Sequence, residues 1–96
     1  MQSFLLVVEI EEIFDHELYG RYIREVINII KSHNGQYIAR SDKIHTVAGQ
    51  KPQRCIIIGF DSKEQIDNFL QSDEYRKIKP LRENNTKSKA FIVENS

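Results

Sequence analysis

Two stretches of the chain are apolar on both alternating sets of positions. In Phe4–Ile10, residues Phe4, Leu6, Val8 and Ile10 fall on one set and Leu5 and Val7 on the other, with Glu9 the only charge. In Arg54–Phe60, Cys55, Ile56, Ile57, Ile58 and Phe60 likewise leave neither set polar. A strand that is wet on one face alternates, so this pattern predicts two central strands buried on both faces. Between them the spacing becomes helical. Asp15 is a suitable cap, Glu17 lies in the first turn, and Leu18, Tyr22, Val26, Ile29 and Ile30 recur on one side, with Tyr19, Ile23 and Ile27 widening the stripe. A helix over 15–33 is expected, ended by Asn34-Gly35.

From Gln36 a long, more polar strand is expected, running through Tyr37-Ile38-Ala39-Arg40 to Ile44-His45-Thr46-Val47 and suited to a sheet edge. Residues 48–52 read as a turn. After Phe60, Asp61-Ser62 with Gln65 resembles a capping box, followed by a short helix on Ile66, Phe69 and Leu70. Ser72 caps a further helical segment with Tyr75, Ile78 and Leu81, and Pro80 predicts a break or a fresh turn, since proline in a helix interior costs roughly 3 kcal/mol. Ala90-Phe91-Ile92-Val93-Glu94 is the last strand.

The order β-α-β-β-α-β, in one domain spanning 1–96, predicts an α+β, ferredoxin-like fold: a four-stranded antiparallel sheet with the first and third strands central and the helices on one face. Helices on one face cannot cover two strands that are apolar on both. A homodimer packed sheet to sheet is therefore expected, isologous contact being the commonest way to bury such a face. Antiparallel register also leads to the expectation of an Arg54–Glu9 cross-strand pair.

Composition narrows the partners. Fourteen Lys and Arg balance fourteen Asp and Glu, so no net field draws the chain to nucleic acid or an anionic membrane. RNA binding on this strand order needs stacking aromatics on the central strands, where isoleucines stand. The N-terminal apolar run has no basic flank and ends at Glu9, and is read as neither a signal peptide nor a membrane span. Cys55 is the only cysteine; a disulfide framework is excluded, and a reducing, cytoplasmic setting with Cys55 as a small buried hydrophobe is expected. His16, His33 and His45 lack metal-ligand spacing, His33 reading instead as a helix C-terminal group, and neither a metal nor a cofactor is expected.

Tyr19-x-x-Tyr22, Gly35-x-Tyr37-x-Ala39-Arg40, the run from Arg54 to Phe60, Ser72-x-Glu74-Tyr75 and Leu81-Arg82, in this order and spacing over nearly the whole chain, resemble the family called domain of unknown function 1330. The chain departs from that pattern at Ser41-Asp42, where a Gly-Gly pair commonly follows the strand arginine. The resemblance implies a dimeric α/β barrel, an architecture whose relatives include cofactor-independent monooxygenases, lactone isomerases and haem-degrading enzymes. Arg40, Arg54 and Arg82 match arginines of the resembling family. With Tyr22 and Tyr75 they form the candidate ligand-binding set, and Tyr19 is a further candidate: guanidinium groups hold carboxylate or phosphate in bidentate fashion, and tyrosines line a pocket while offering one hydroxyl each. The expected function is binding of a small, anionic organic molecule between sheet and helices, with catalytic residues and reaction unassigned. The alternative is a non-catalytic dimeric ligand-binding or protein-interaction module. In the bland reading of the same residues, the arginines pair with Glu9, Glu74 or Glu83 or face water, and the tyrosines are core.

Overall fold

A computed structural model describes residues 3–95. It is an α+β fold with a four-stranded antiparallel sheet and three helices: β1 (Phe4–Ile13), α1 (His16–Ser32), β2 (Gln36–Ser41), β3 (Arg54–Phe60), α2 (Lys63–Gln71), α3 (Asp73–Glu83) and β4 (Thr86–Glu94). The strand order is β2-β3-β1-β4, which puts the two doubly apolar strands in the centre. The second crossover carries two helices where a simple ferredoxin-like layout has one.

Register decides which apolar set meets the helices. Phe4, Leu6, Val8 and Ile10 stand opposite Phe60, Ile58, Ile56 and Arg54, and this set faces the core. Leu5, Val7 and Glu9 stand opposite Gly59, Ile57 and Cys55 on the other face. Arg54 and Glu9 thus point to opposite sides of the sheet, and the expected cross-strand pair does not form. Glu9 instead meets Lys89 of β4 at 3.7 Å. Paired positions share a face and adjacent ones do not, so an expectation off by one residue lands on the wrong side.

Three further expectations are corrected. β2 ends at Ser41, whose partner is Cys55. Arg54 begins β3, so residues 44–47 have no strand to pair with, and Val47 is fully exposed. Pro80 does not break α3, which continues to Glu83. Proline removes the bond to the carbonyl four residues back, that of Arg76, and both residues are exposed, so water can satisfy it. Leu18 lies outside the buried stripe of α1, which runs through Tyr19, Val26 and Ile30.

Caps set the helix ends. The Asp15 carboxylate accepts from the Leu18 N–H at 3.0 Å. The Ser62 hydroxyl accepts from Gln65 N–H at 3.2 Å, while the Gln65 side chain reaches back to the Asp61 N–H at 3.0 Å. Ser72 joins two helices: its hydroxyl donates to the Phe69 carbonyl at 2.8 Å and accepts from the Tyr75 N–H at 3.2 Å. At the end of α1, His33 is the C-cap and its Nδ1–H donates to the Ile29 carbonyl at 3.0 Å.

Asn34, at φ 64°, takes the left-handed conformation of that turn. Gly35 serves a different need: a Cβ there would lie 2.7 Å from Ile30 Cγ2 and 2.8 Å from the Phe60 ring, both fully buried. Gly35→Ala is accordingly expected to cost about 1–3 kcal/mol through overpacking, read from urea unfolding midpoints.

Candidate functional site

The α1 stripe, the end of α2 and α3 stand over β2, β3 and β1 without closing fully, leaving a partly open cavity of about 50 Å³. Its walls are mostly apolar, with Leu6, Val8, Ile56, Ile58, Val26 and Phe69 among them. The five candidate residues Tyr22, Arg40, Arg54, Tyr75 and Arg82 all line it, together with Tyr19 and Tyr37. Every tyrosine of the chain is therefore on this cavity.

Each side chain has a local reason for being there. Tyr19 and Tyr22 are one helical turn apart on α1, their rings stacked at 6.0 Å. Tyr75 follows the Ser72 cap by three residues and is 4% exposed; its hydroxyl lies 3.1 Å from that of Tyr22. Arg82, near the end of α3, is held by a hydrogen bond from Nη1 to Ser88 Oγ at 2.9 Å. That end is itself fixed where the buried Thr86 hydroxyl donates to the Arg82 carbonyl at 2.7 Å and Asn85 donates to the Leu81 carbonyl at 2.8 Å.

Tyr37 and Arg40 reach the same side through an irregularity. Residues an odd number apart normally point to opposite faces, but β2 is bulged between Tyr37 and Ala39, so Tyr37 pairs with Ile58 and Arg40 with Ile56, both on the core face. The Arg40 guanidinium then lies 4.5 Å from the Tyr37 ring centroid, a cation–π contact. Tyr37 belongs to the Gly35-x-Tyr37-x-Ala39-Arg40 motif, but its odd spacing from Arg40 argues against a shared face unless the bulge is known. Tyr19 lies on the cavity with the other candidate tyrosines.

The electrostatics are one-sided. Three arginines line the cavity and no carboxylate does. Among the described residues none of the three makes an ion pair, and the Arg54 Nε is buried without a hydrogen-bond partner. Burial pushes the Tyr22 hydroxyl well above its ordinary pKa, the Tyr75 hydroxyl adds to the rise, and Arg82 draws it partly back. Tyr19 is raised by burial against the pull of Arg54 and Arg82, and Tyr37 by burial against Arg40 and Arg54. For Arg82, burial disfavours the charge, but Tyr75 and Tyr22 more than offset it, and its pKa is raised. At neutral pH the tyrosines are hydroxyl donors and the arginines are cations, a set suited to holding an anion.

No described His, Cys, Asp or Glu lines the cavity, and no group of three or more such residues among the described residues is placed to hold a metal ion. Cys55 lies half-buried on the opposite sheet face, its thiol pKa raised by burial and by Glu9. No described helix is long and apolar enough to cross a membrane.

Solved structures resemble the fold at low sequence identity. A protein of unknown function from Rhodopseudomonas palustris superposes with a TM-score of 0.78 at 10% identity, over 99% of this chain and 83% of that one. An Arabidopsis thaliana protein solved in solution gives 0.71 at 11% identity, over 100% and 90%. An uncharacterised NIPSNAP domain protein from Burkholderia xenovorans gives 0.63 at 9% identity, over 97% and 94%. At such identities the likeness is one of fold. No curated protein matches the chain. The family model for a domain of unknown function, DUF1330, matches residues 3–96, and the chain belongs to that family.

Proposed function

We propose that the protein is a homodimeric α/β barrel that binds a small organic anion, a carboxylate foremost, between its sheet and its helices. The observation that carries the binding reading is the trio of guanidinium groups on a cavity without a carboxylate, with the Arg54 Nε buried and unbonded. A buried donor left unbonded is costly, and an anion that accepts from it offsets that cost. The raised tyrosines donate to the anion's oxygens; none of them serves as a base at neutral pH. The reading is therefore one of binding and polarisation, with any reaction supplied by what the ligand itself brings. A non-catalytic binding module fits the same residues.

Support for the dimer comes from the uncovered sheet face. Val7, Ile57, Phe91 and Val93 lie on it with Leu5 and Cys55, Phe91 and Val93 being 43% and 41% exposed. A second copy of the same face, related by a twofold axis, buries these residues isologously. In this reading the layout is ferredoxin-like with a split second crossover helix. A single cysteine with no partner in the chain fits a reducing, cytoplasmic setting.

Arg54→Met separates the functional reading from a structural one. Charge-assisted hydrogen bonds contribute about 1.5–3 kcal/mol, so the variant should bind benzoate roughly ten- to a hundredfold more weakly by titration calorimetry. Its melting temperature should hold or rise, because an unsatisfied buried donor has been removed. A fall in melting temperature with no change in benzoate affinity would assign Arg54 to the fold and remove the proposal.

A further inference from the structure

The tyrosine-lined cavity is much smaller than the roughly 300–1,000 Å³ of ordinary ligand pockets. It accommodates a head group and little else. Beside it runs a second, more open hollow of about 280 Å³ over β1 and β4. Tyr75 and Arg82 line both, so the two spaces meet across these α3 side chains. Beyond Arg82 and Tyr75 the groove is apolar, walled by Leu70 of α2 and by Ala90 and Ile92 on the core face of β4. An anion held by Arg82 therefore has hydrocarbon surface on its β4 side and no second charge there to satisfy.

We propose that the ligand is an amphiphilic organic acid whose carboxylate sits on Arg82 at the mouth of the tyrosine cavity and whose apolar body lies in the groove along β4. This rests on the anion-binding reading above and adds the chemistry of the rest of the molecule. Ser88 holds Arg82 from the strand side, which keeps the guanidinium at the junction of the two spaces. Charge and apolar surface thus stand in the order that a monocarboxylic acid with an alkyl or aryl tail requires. A dicarboxylate or a phosphosugar would place a second polar group against Leu70 and Ile92.

Titration calorimetry with acetate, butyrate, hexanoate and octanoate tests this on the intact protein. Affinity is expected to rise roughly fourfold per methylene until the groove is filled. In Ala90→Phe, a substitution at an exposed edge-strand position that fills the groove, the gain per methylene should disappear. Isotope-edited NOE spectra should show the terminal methyl of octanoate against Leu70 and Ile92. If the short acids bind and affinity stays flat along the series, or the gain persists in Ala90→Phe with no contact to Leu70 or Ile92, the amphiphile proposal is overturned and the anion site stands. If no acid of any length binds, both fall.

Discussion

Ile57→Asp is expected to halve the mass of the protein in solution, from twice the chain mass to 11.3 kDa by light scattering at micromolar concentration. Ile57 lies mid-strand in β3 on the uncovered face, between its partners Val7 on β1 and Ala39 on β2. In a twofold sheet-to-sheet dimer the substituted carboxylate would be buried near its own symmetry mate, adding desolvation to like-charge repulsion. Breaking such a contact costs several kcal/mol. If the face is instead open to water, the same change costs no more than β-propensity, about 1 kcal/mol or less. A wild-type protein already at the monomer mass would remove the dimer proposal outright.

Phe60→Ala is expected to lower stability by about 3–5 kcal/mol, which for a domain of this size is a drop of some tens of degrees in melting temperature. Phe60 is wholly buried, packs 6.1 Å from the Phe69 ring, and fills the space that the missing Cβ of Gly35 leaves. The loss is therefore cavity formation in the centre of the core. A double-mutant cycle with Gly35→Ala should show positive coupling: the alanine methyl that collides with Phe60 in the wild type occupies part of the cavity in Phe60→Ala. The clash with Ile30 remains, so the rescue should be partial.

Much of this architecture was legible because it depends on pattern rather than on partners. The doubly apolar runs at Phe4–Ile10 and Arg54–Phe60 are the central strands, and the caps at Asp15, Ser62 and Ser72 are where their side-chain chemistry put them. What escaped depends on a second segment. Ile44-His45-Thr46-Val47 has strand-like composition, but a strand exists only where another runs beside it, and β3 begins only at Arg54. Arg54–Glu9 failed by one residue of register. The last strand begins at Thr86, earlier than its apolar core suggests, because β1 extends to Ile13 and supplies partners for its polar beginning. For the site, residue types could be chosen from sequence, but the absence of a carboxylate from the cavity wall is a property of three-dimensional placement.

The bulge in β2 separates two things that the same strand does. Its hydrogen bonds to β3 hold the sheet's edge, and that task is met by any register that keeps the ladder. Delivery of Arg40 to the tyrosine cavity depends on how the extra residue, Ile38, is accommodated. A chain with Ile38 deleted would keep Arg40 opposite Ile56 with no bulge at all, whereas the present chain paired without the bulge would set Arg40 opposite Cys55 and turn its guanidinium to the outer face, so on this strand a change of length is harmless only when the irregularity goes with it.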